Sequence, residues 1–226
     1  MDAVIFAKPP IAGQVKTRLA QEIGFEAAAA FAAAALEDTV DRLSKHRAVS
    51  TVVLSTPDSS DENIWAPHIG ALPRHRQPSG DLGVRMVHAV EERLRSCSRV
   101  VLWGADAPHF PPSAPEAIAA GLETADVVIC PAEDGGFYAL GTKVALGDAF
   151  TGIAWSRSDT LEVTHLRLRE AGLRVSLTTP CFDVDTYNDL RKLLQILRNH
   201  PERAPRVLDW VAEWGLEAEL GLGQPI

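Results

Sequence analysis

The run Lys8-Pro9-Pro10-Ile11-Ala12-Gly13-Gln14-Val15-Lys16-Thr17-Arg18-Leu19 places three cations around a glycine, directly after a short apolar segment. Such a loop suits phosphate. Gly13 lets backbone approach a ligand, Lys16 acts as a point charge, and Arg18 can hold two oxygens at once. Lys8, Gly13, Lys16, Thr17 and Arg18 are therefore candidate phosphate-binding residues. A Walker A loop is excluded, because that motif needs Gly directly before its Lys and Val15 stands there. The competing reading is a solvated loop whose cations stay in water. In a chain of formal charge -8, clustered positive charge favours the ligand.

Carboxylates that could hold a divalent cation lie further on. In Gly104-Ala105-Asp106-Ala107-Pro108 an Asp follows an apolar run, where it can ligate a metal or simply cap a turn. In Cys181-Phe182-Asp183-Val184-Asp185-Thr186, Asp183 and Asp185 share a side if the segment is extended. Thr186 with Asp189 reads as a helix capping box, so Asp189 is assigned to structure. Three further segments could frame a substrate or be ordinary turns and caps. Gly80, Asp81 and Arg85 lie at a loop-to-helix junction, with Asp81 a cap candidate and Arg85 a ligand contact. Asp134, Gly135 and Gly136 form a tight turn. Trp155, Ser156 and Asp159 precede a helix that Ser158 or Asp159 could cap.

The elements that would carry these residues alternate between strand and helix patterns, the mark of a mostly parallel sheet wrapped by helices. Strands are expected at Ala3–Ala7, Thr51–Leu54, Arg99–Trp103, Val127–Cys130 and Phe137–Leu140, with Leu173–Leu177 extended. Helices are expected at Phe25–Leu43, Leu82–Leu94, Ser113–Leu122, Asp159–Glu170, Thr186–Leu197 and Val207–Leu216. Ser113 with Glu116 reads as a second capping box. Asp58–Asp61 reads as a turn and Gly221–Ile226 as a frayed end. Ligands of open α/β sheets bind beyond the carboxyl ends of strands, where the Gly13 loop and Asp106 would both lie.

The 226 residues, 46% of them apolar, suffice for one large domain. The acidic balance argues against nucleic acid and anionic membranes as partners. Cys97, Cys130 and Cys181 are widely spaced and form no CxxC pair, and the seven histidines show no HExxH spacing, so neither a disulfide framework nor a zinc site is suggested. No apolar stretch is long enough to span a bilayer, and the first residues lack a signal-peptide pattern, so a cytoplasmic location is the default expectation. Trp210 and Trp214 could form core packing or a homodimer contact.

Together, the segments KPPIAGQVKTRLA, GDLGVRM, GADAP, EDGGFYALG, GIAWSRSDTLEVT and DVDTYNDL resemble, in content and order, the bacterial DUF2064 proteins. Those proteins belong to the nucleotide-diphospho-sugar transferase superfamily and are often labelled arsenosugar-biosynthesis-type glycosyltransferases. The Gly13 loop is also similar to that of phospholactate and molybdenum-cofactor guanylyltransferases. The resemblance implies a single GT-A-like, three-layer α/β/α domain over residues 1–200 with a mostly parallel, Rossmann-like sheet. Residues 201–226 would be a helical extension packed on it. It further implies Mg²⁺ or Mn²⁺ on Asp106 and on Asp185, with Asp183 the less favoured ligand. His109 and Tyr187 depart from the family pattern, and the first puts the acceptor-side contacts in question.

The expected activity is nucleotidyl transfer from a nucleoside triphosphate to a small phosphorylated or anionic acceptor. Lys16 and Arg18 would neutralise the β- and γ-phosphates, with Asp106 the third catalytic residue. The acceptor would lie beside Asp134, Gly135, Gly136, Trp155, Ser156 and Asp159. The rival expectation is glycosyl transfer from a nucleotide sugar, which needs less positive charge. A non-catalytic nucleotide-binding module is the third, disfavoured by the presence of all three carboxylates.

Overall fold

The computed structural model of the chain describes residues 1–57 and 62–216. The readings of Asp58–Asp61 as a turn and of Gly221–Ile226 as a frayed end fall outside these residues. The strands are β1 (Asp2–Phe6), β2 (Thr51–Thr56), β3 (Arg74–Arg76), β4 (Val100–Gly104), β5 (Val127–Pro131), β6 (Phe137–Thr142) and β7 (Val175–Leu177). The helices are α1 (Ala20–Ile23), α2 (Phe25–Ser44), α3 (Glu62–Ile69), α4 (Leu82–Leu94), α5 (Ala114–Thr124), α6 (Thr160–Glu170), α7 (Tyr187–Asn199) and α8 (Pro205–Glu213).

The strands form one seven-stranded sheet in the order β3-β2-β1-β4-β6-β5-β7. All are parallel except β6, which runs antiparallel between β4 and β5. The chain moves outward from β1 to β3, then returns to lay β4 on the other side of β1. That reversal makes the β1/β4 boundary the topological switch point, where loops leaving the two strands part and open a crevice.

Alternation along the strands sorts the core into two faces. Ala3, Ile5, Val101 and Trp103 pack with α2, α3 and α5, whereas Val4, Val100 and Leu102 pack with α4 and α6. A third cluster explains the alanine run of α2. Leu36 and Leu43 face the sheet, while Ala27, Ala28, Phe31 and Ala35 face α7 and α8. A helix buried on two sides needs small side chains to let neighbours close in. Trp210 is core, not an exposed contact: its ring meets Phe31 edge-on at 5.2 Å and its indole N–H donates to the Ala27 carbonyl. Trp214 is exposed.

Neither α3 nor β3 was foreseen. α3 carries Pro67 inside it, and β3 is a polar Arg-His-Arg edge strand, so neither shows a clean apolar period. The expected Ser113–Glu116 capping box is absent. Ser113 already has helical backbone angles and its side chain caps nothing, while Glu116 pairs with His46 and Arg47. Neither Ser158 nor Asp159 caps α6, because Asp159 turns to Arg157. The other two caps form: Asp81 accepts from the Val84 N–H, and Thr186 and Asp189 make the reciprocal box of α7. No helix among the described residues is long and apolar enough to cross a membrane.

Candidate functional site

A cleft of about 450 Å³ opens over the carboxyl ends of β1 to β4. Its walls include Lys8, Lys16 and Thr17 from the loop after β1, Gln77 beyond β3, Arg85 from α4, Asp106 beyond β4, Ser156 and Asp185. Widely separated parts of the sequence thus meet at the switch point. A cleft of this size holds a nucleotide-sized molecule.

At its floor, the Lys16 ammonium touches the carboxylates of both Asp106 and Asp185, the second at 2.9 Å. The Lys16 side chain is only 5% exposed, against 54% and 46% for its partners, so the cation is enclosed while both carboxylates face the cleft. Burial works against the charged ammonium, but Asp106 and Asp185 outweigh it and raise the Lys16 pKa. Asp183 lies within the same field. Burial first, then the Asp106 charge, pushes its carboxyl up to about 7, with Lys16 pulling the other way.

Backbone geometry holds this arrangement. The Val184 N–H donates to the Asp106 carbonyl at 2.9 Å, tying the two carboxylate-bearing loops together. The Asp189 carboxylate accepts from the Asp185 and Thr186 N–H groups, fixing the residue beside the α7 cap. Among the described residues, two non-glycine residues have left-handed backbone, Lys16 at φ 46° and Ser156 at φ 63°, and both line this cleft. Such backbone costs energy and tends to persist where a site requires it.

Other expected site residues divide into those facing the cleft and those held elsewhere. Arg85 faces it, but its guanidinium also donates to the Gly80 carbonyl at 3.0 Å and to Gln77 Oε1 at 3.4 Å. Gln77, on the far side of the unforeseen β3, escaped notice because nothing in its local sequence marks it. It is buried and donates to the Ser55 carbonyl, which fixes the amide against the cleft wall. Arg18 is exposed and, with Gly13, is not part of the cleft wall. Lys16 meets carboxylates here instead of standing free for phosphate. The Asp81 carboxylate is taken by its cap, and that of Asp134 accepts from the Gly136 N–H.

The Gly135 turn and the segment 155–159 do come together, through backbone. Gly135 has φ 89°, and a Cβ there would sit 1.9 Å from the Ser158 carbonyl oxygen, so only glycine fits. The Leu161 N–H donates to the Gly135 carbonyl at 2.8 Å in the same contact. Trp155 turns inward against Phe137 and Phe150. Gly83 makes room for it, since a Cβ there would lie 2.9 Å from the Trp155 ring. Of this segment Ser156 lines the cleft, and Asp159 pairs with Arg157 at 3.0 Å. His109 is buried, its Nε2 3.3 Å from the Cys181 sulfur and its ring 4.2 Å from that of Phe182. It belongs to the packing beneath the site, not to an acceptor contact. Burial, then the charges of Arg42, Arg203 and Lys192, lower its pKa to about 3.

The donors suit a hard divalent cation. Both Asp106 and Asp185 reach the one position that Lys16 occupies, and every nearby acidic ligand is a carboxylate oxygen. Among the described residues no three His, Cys, Asp or Glu side chains form a closed metal cage. Two carboxylates, leaving positions for water and phosphate oxygens, match the way Mg²⁺ is held beside nucleotides.

The model of a family described as uncharacterised proteins conserved in bacteria, DUF2064, matches residues 39–157, just over half of the chain. The chain belongs to the DUF2064 family. This DUF2064 protein matches no curated protein by sequence. Among solved structures it is similar to a protein from Desulfovibrio desulfuricans G20 provisionally designated a nucleotide-diphospho-sugar transferase. The two share 28% identity over 98% of each chain, with a TM-score of 0.88. A cytidylyltransferase from Leptospira borgpetersenii serovar Hardjo-bovis (strain JB197) aligns with TM-score 0.61 and 13% identity, over 100% of this chain and 98% of that one. The synthetase for CMP:2-keto-3-deoxy-manno-octonic acid, solved with CTP, aligns with TM-score 0.58 and 13% identity, over 88% and 98%. The DUF2064 chain thus has the α/β fold of the nucleotide-diphospho-sugar transferases.

Proposed function

We propose that this DUF2064 protein is a metal-dependent transferase acting on a nucleotide, moving the nucleoside monophosphate of a triphosphate to a small acceptor with release of pyrophosphate. One observation carries the reading. Asp106 and Asp185 converge on a single cation position at the switch point, in a cleft whose walls also bear Lys8, Lys16 and Arg85. A triphosphate brings about four negative charges, and a cleft with three cations beside a metal position matches that load better than it matches a diphosphate sugar.

A divalent ion bound by Asp106 and Asp185 would supply Lewis-acid stabilisation of charge at the α-phosphate. Lys8 and Arg85 would bind the outer phosphates, Arg85 pre-set by its bonds to Gly80 and Gln77. Such chemistry is largely positioning and electrostatics, so it needs no activated Ser or Cys. The acceptor, a small phosphorylated or otherwise anionic molecule, would approach beside the Gly135–Gly136 turn and Ser156, next to the exposed Arg157, whose guanidinium is paired with Asp159.

Glycosyl transfer from a nucleotide sugar is the second reading. It is favoured by the designation of the Desulfovibrio relative, which spans the whole fold at 28% identity. Incubation with each α-labelled triphosphate, Mg²⁺ and a panel of phospho-acids tests the choice. Label transferred to an acceptor with pyrophosphate released supports nucleotidyl transfer. Sugar transferred from a nucleotide sugar, with no label moved from any triphosphate, would replace it with the second reading.

A further inference from the structure

We infer that Lys16 is a tethered cation that holds the Asp106–Asp185 position until a divalent metal displaces it, so that metal and phosphate strengthen each other's binding. The inference rests on Asp106 and Asp185 being the metal carboxylates and adds how access to them is controlled.

Asp106 and Asp185 turn half-exposed carboxylates to the cleft, and the Lys16 ammonium is the cation set between them. An ammonium and a metal ion cannot share one position: Lys16 touches both carboxylates directly and its side chain is almost fully enclosed there. Metal entry therefore requires the ammonium to leave. It needs a new anionic partner as it goes, because stranding an ammonium at a cleft floor is costly. A phosphate chain lying in the same cleft is such a partner. The Val184–Asp106 and Asp189–Asp185 bonds keep both carboxylates in register when the lysine departs.

Two consequences follow by linkage. The free protein binds metal weakly, and a ligand that draws Lys16 away strengthens metal binding by the same factor that metal strengthens the ligand's binding. The factor expected for such coupling is about 5- to 150-fold.

Mn²⁺ alone is the probe, with free ion counted by electron paramagnetic resonance in the native protein, Lys16→Met, Asp106→Asn and the double variant. Lys16→Met should bind Mn²⁺ at least about tenfold more tightly than the native protein, and adding Asp106→Asn should abolish the gain. If Lys16→Met is no tighter, the inference fails. Should Asp106→Asn still weaken Mn²⁺ binding in that case, the metal site itself stands. If neither variant alters Mn²⁺ binding, both the inference and the metal assignment fall. Because Lys16→Met could destabilise the acidic cluster, a second measurement uses the native chain. Acetylation of Lys16, followed by mass spectrometry with exposed Lys8 as reference, should be slow in free protein and rise severalfold at saturating Mn²⁺. Unchanged Lys16 labelling at saturating Mn²⁺ would overturn the displacement.

Discussion

Gly135→Ala should damage the fold and the proposed acceptor side of the cleft together, and a matched glycine elsewhere separates the two causes. At Gly135 a methyl would meet the Ser158 backbone: its carbonyl oxygen at 1.9 Å, carbonyl carbon at 2.6 Å and Cα at 2.9 Å. No rotamer change relieves a clash with backbone, so the segment carrying Ser156 and Asp159 must shift. The left-handed φ of 89° adds its own cost, about 1–2 kcal/mol for any L-residue. Gly172 has φ 80° and nothing within 4 Å of where a methyl would sit, so Gly172→Ala carries the backbone cost alone. The difference between the variants is then the clash, about 1–3 kcal/mol by analogy with overpacked cores. For a chain of this length that is roughly 2–12 °C in melting temperature. Differential scanning fluorimetry of the two variants measures it, and turnover of Gly135→Ala should fall beyond that of Gly172→Ala. Equal melting temperatures would refute the clash at this contact.

Asp38 tests how the C-terminal helix is held. Buried in α2, it accepts from the Arg206 and Val207 N–H groups at 3.0 Å each, capping α8 where the methyl of Ala204 cannot accept a hydrogen bond. Asp38→Ala should cost about 2 kcal/mol in urea denaturation and speed proteolysis of the tail; native resistance to both would show the cap to be dispensable. His109 gives a pH signature. Its folded pKa of about 3 lies below the unfolded value near 6.5, so the unfolded chain binds the extra proton and stability is lost as pH falls below 6.5. Between pH 7.5 and 5.0 the loss from this residue is about 2 kcal/mol, which His109→Gln should remove. Urea titrations at both pH values compare the slopes, and identical losses in the two proteins would contradict a buried neutral imidazole.

Much of the architecture was legible because period and punctuation agree. α4 matches its expected span of Leu82–Leu94, and the β5–Gly turn–β6 pattern forms the expected strand pair. β3 and α3 were not legible, since an edge strand of Arg-His-Arg and a helix with an internal proline lack the apolar period that burial imposes. At the site, residue types announced cations and carboxylates, but not that Lys16 would face the carboxylates. Its partners lie 90 and 169 residues away along the chain, and only the sheet order brings them together. The inward turn of Trp155 and the burial of His109 are likewise tertiary outcomes. The sequence offered Trp155 as an acceptor-side residue and His109 only as a departure from the family pattern beside Asp106, and neither reading could show burial.

On the proposed function, Asp106 and Asp185 hold a divalent metal for a nucleoside triphosphate. Titration calorimetry of the native protein and Asp106→Asn, with Mg²⁺ and each of the four triphosphates, then with UDP- and GDP-sugars, tests it directly. The expected result is Mg²⁺-dependent binding of at least one triphosphate to the native protein, and loss of that Mg²⁺ dependence in Asp106→Asn with the fold intact. Tight binding of a nucleotide sugar with no affinity for any triphosphate, or equal Mg²⁺-dependent binding by the variant, would contradict it.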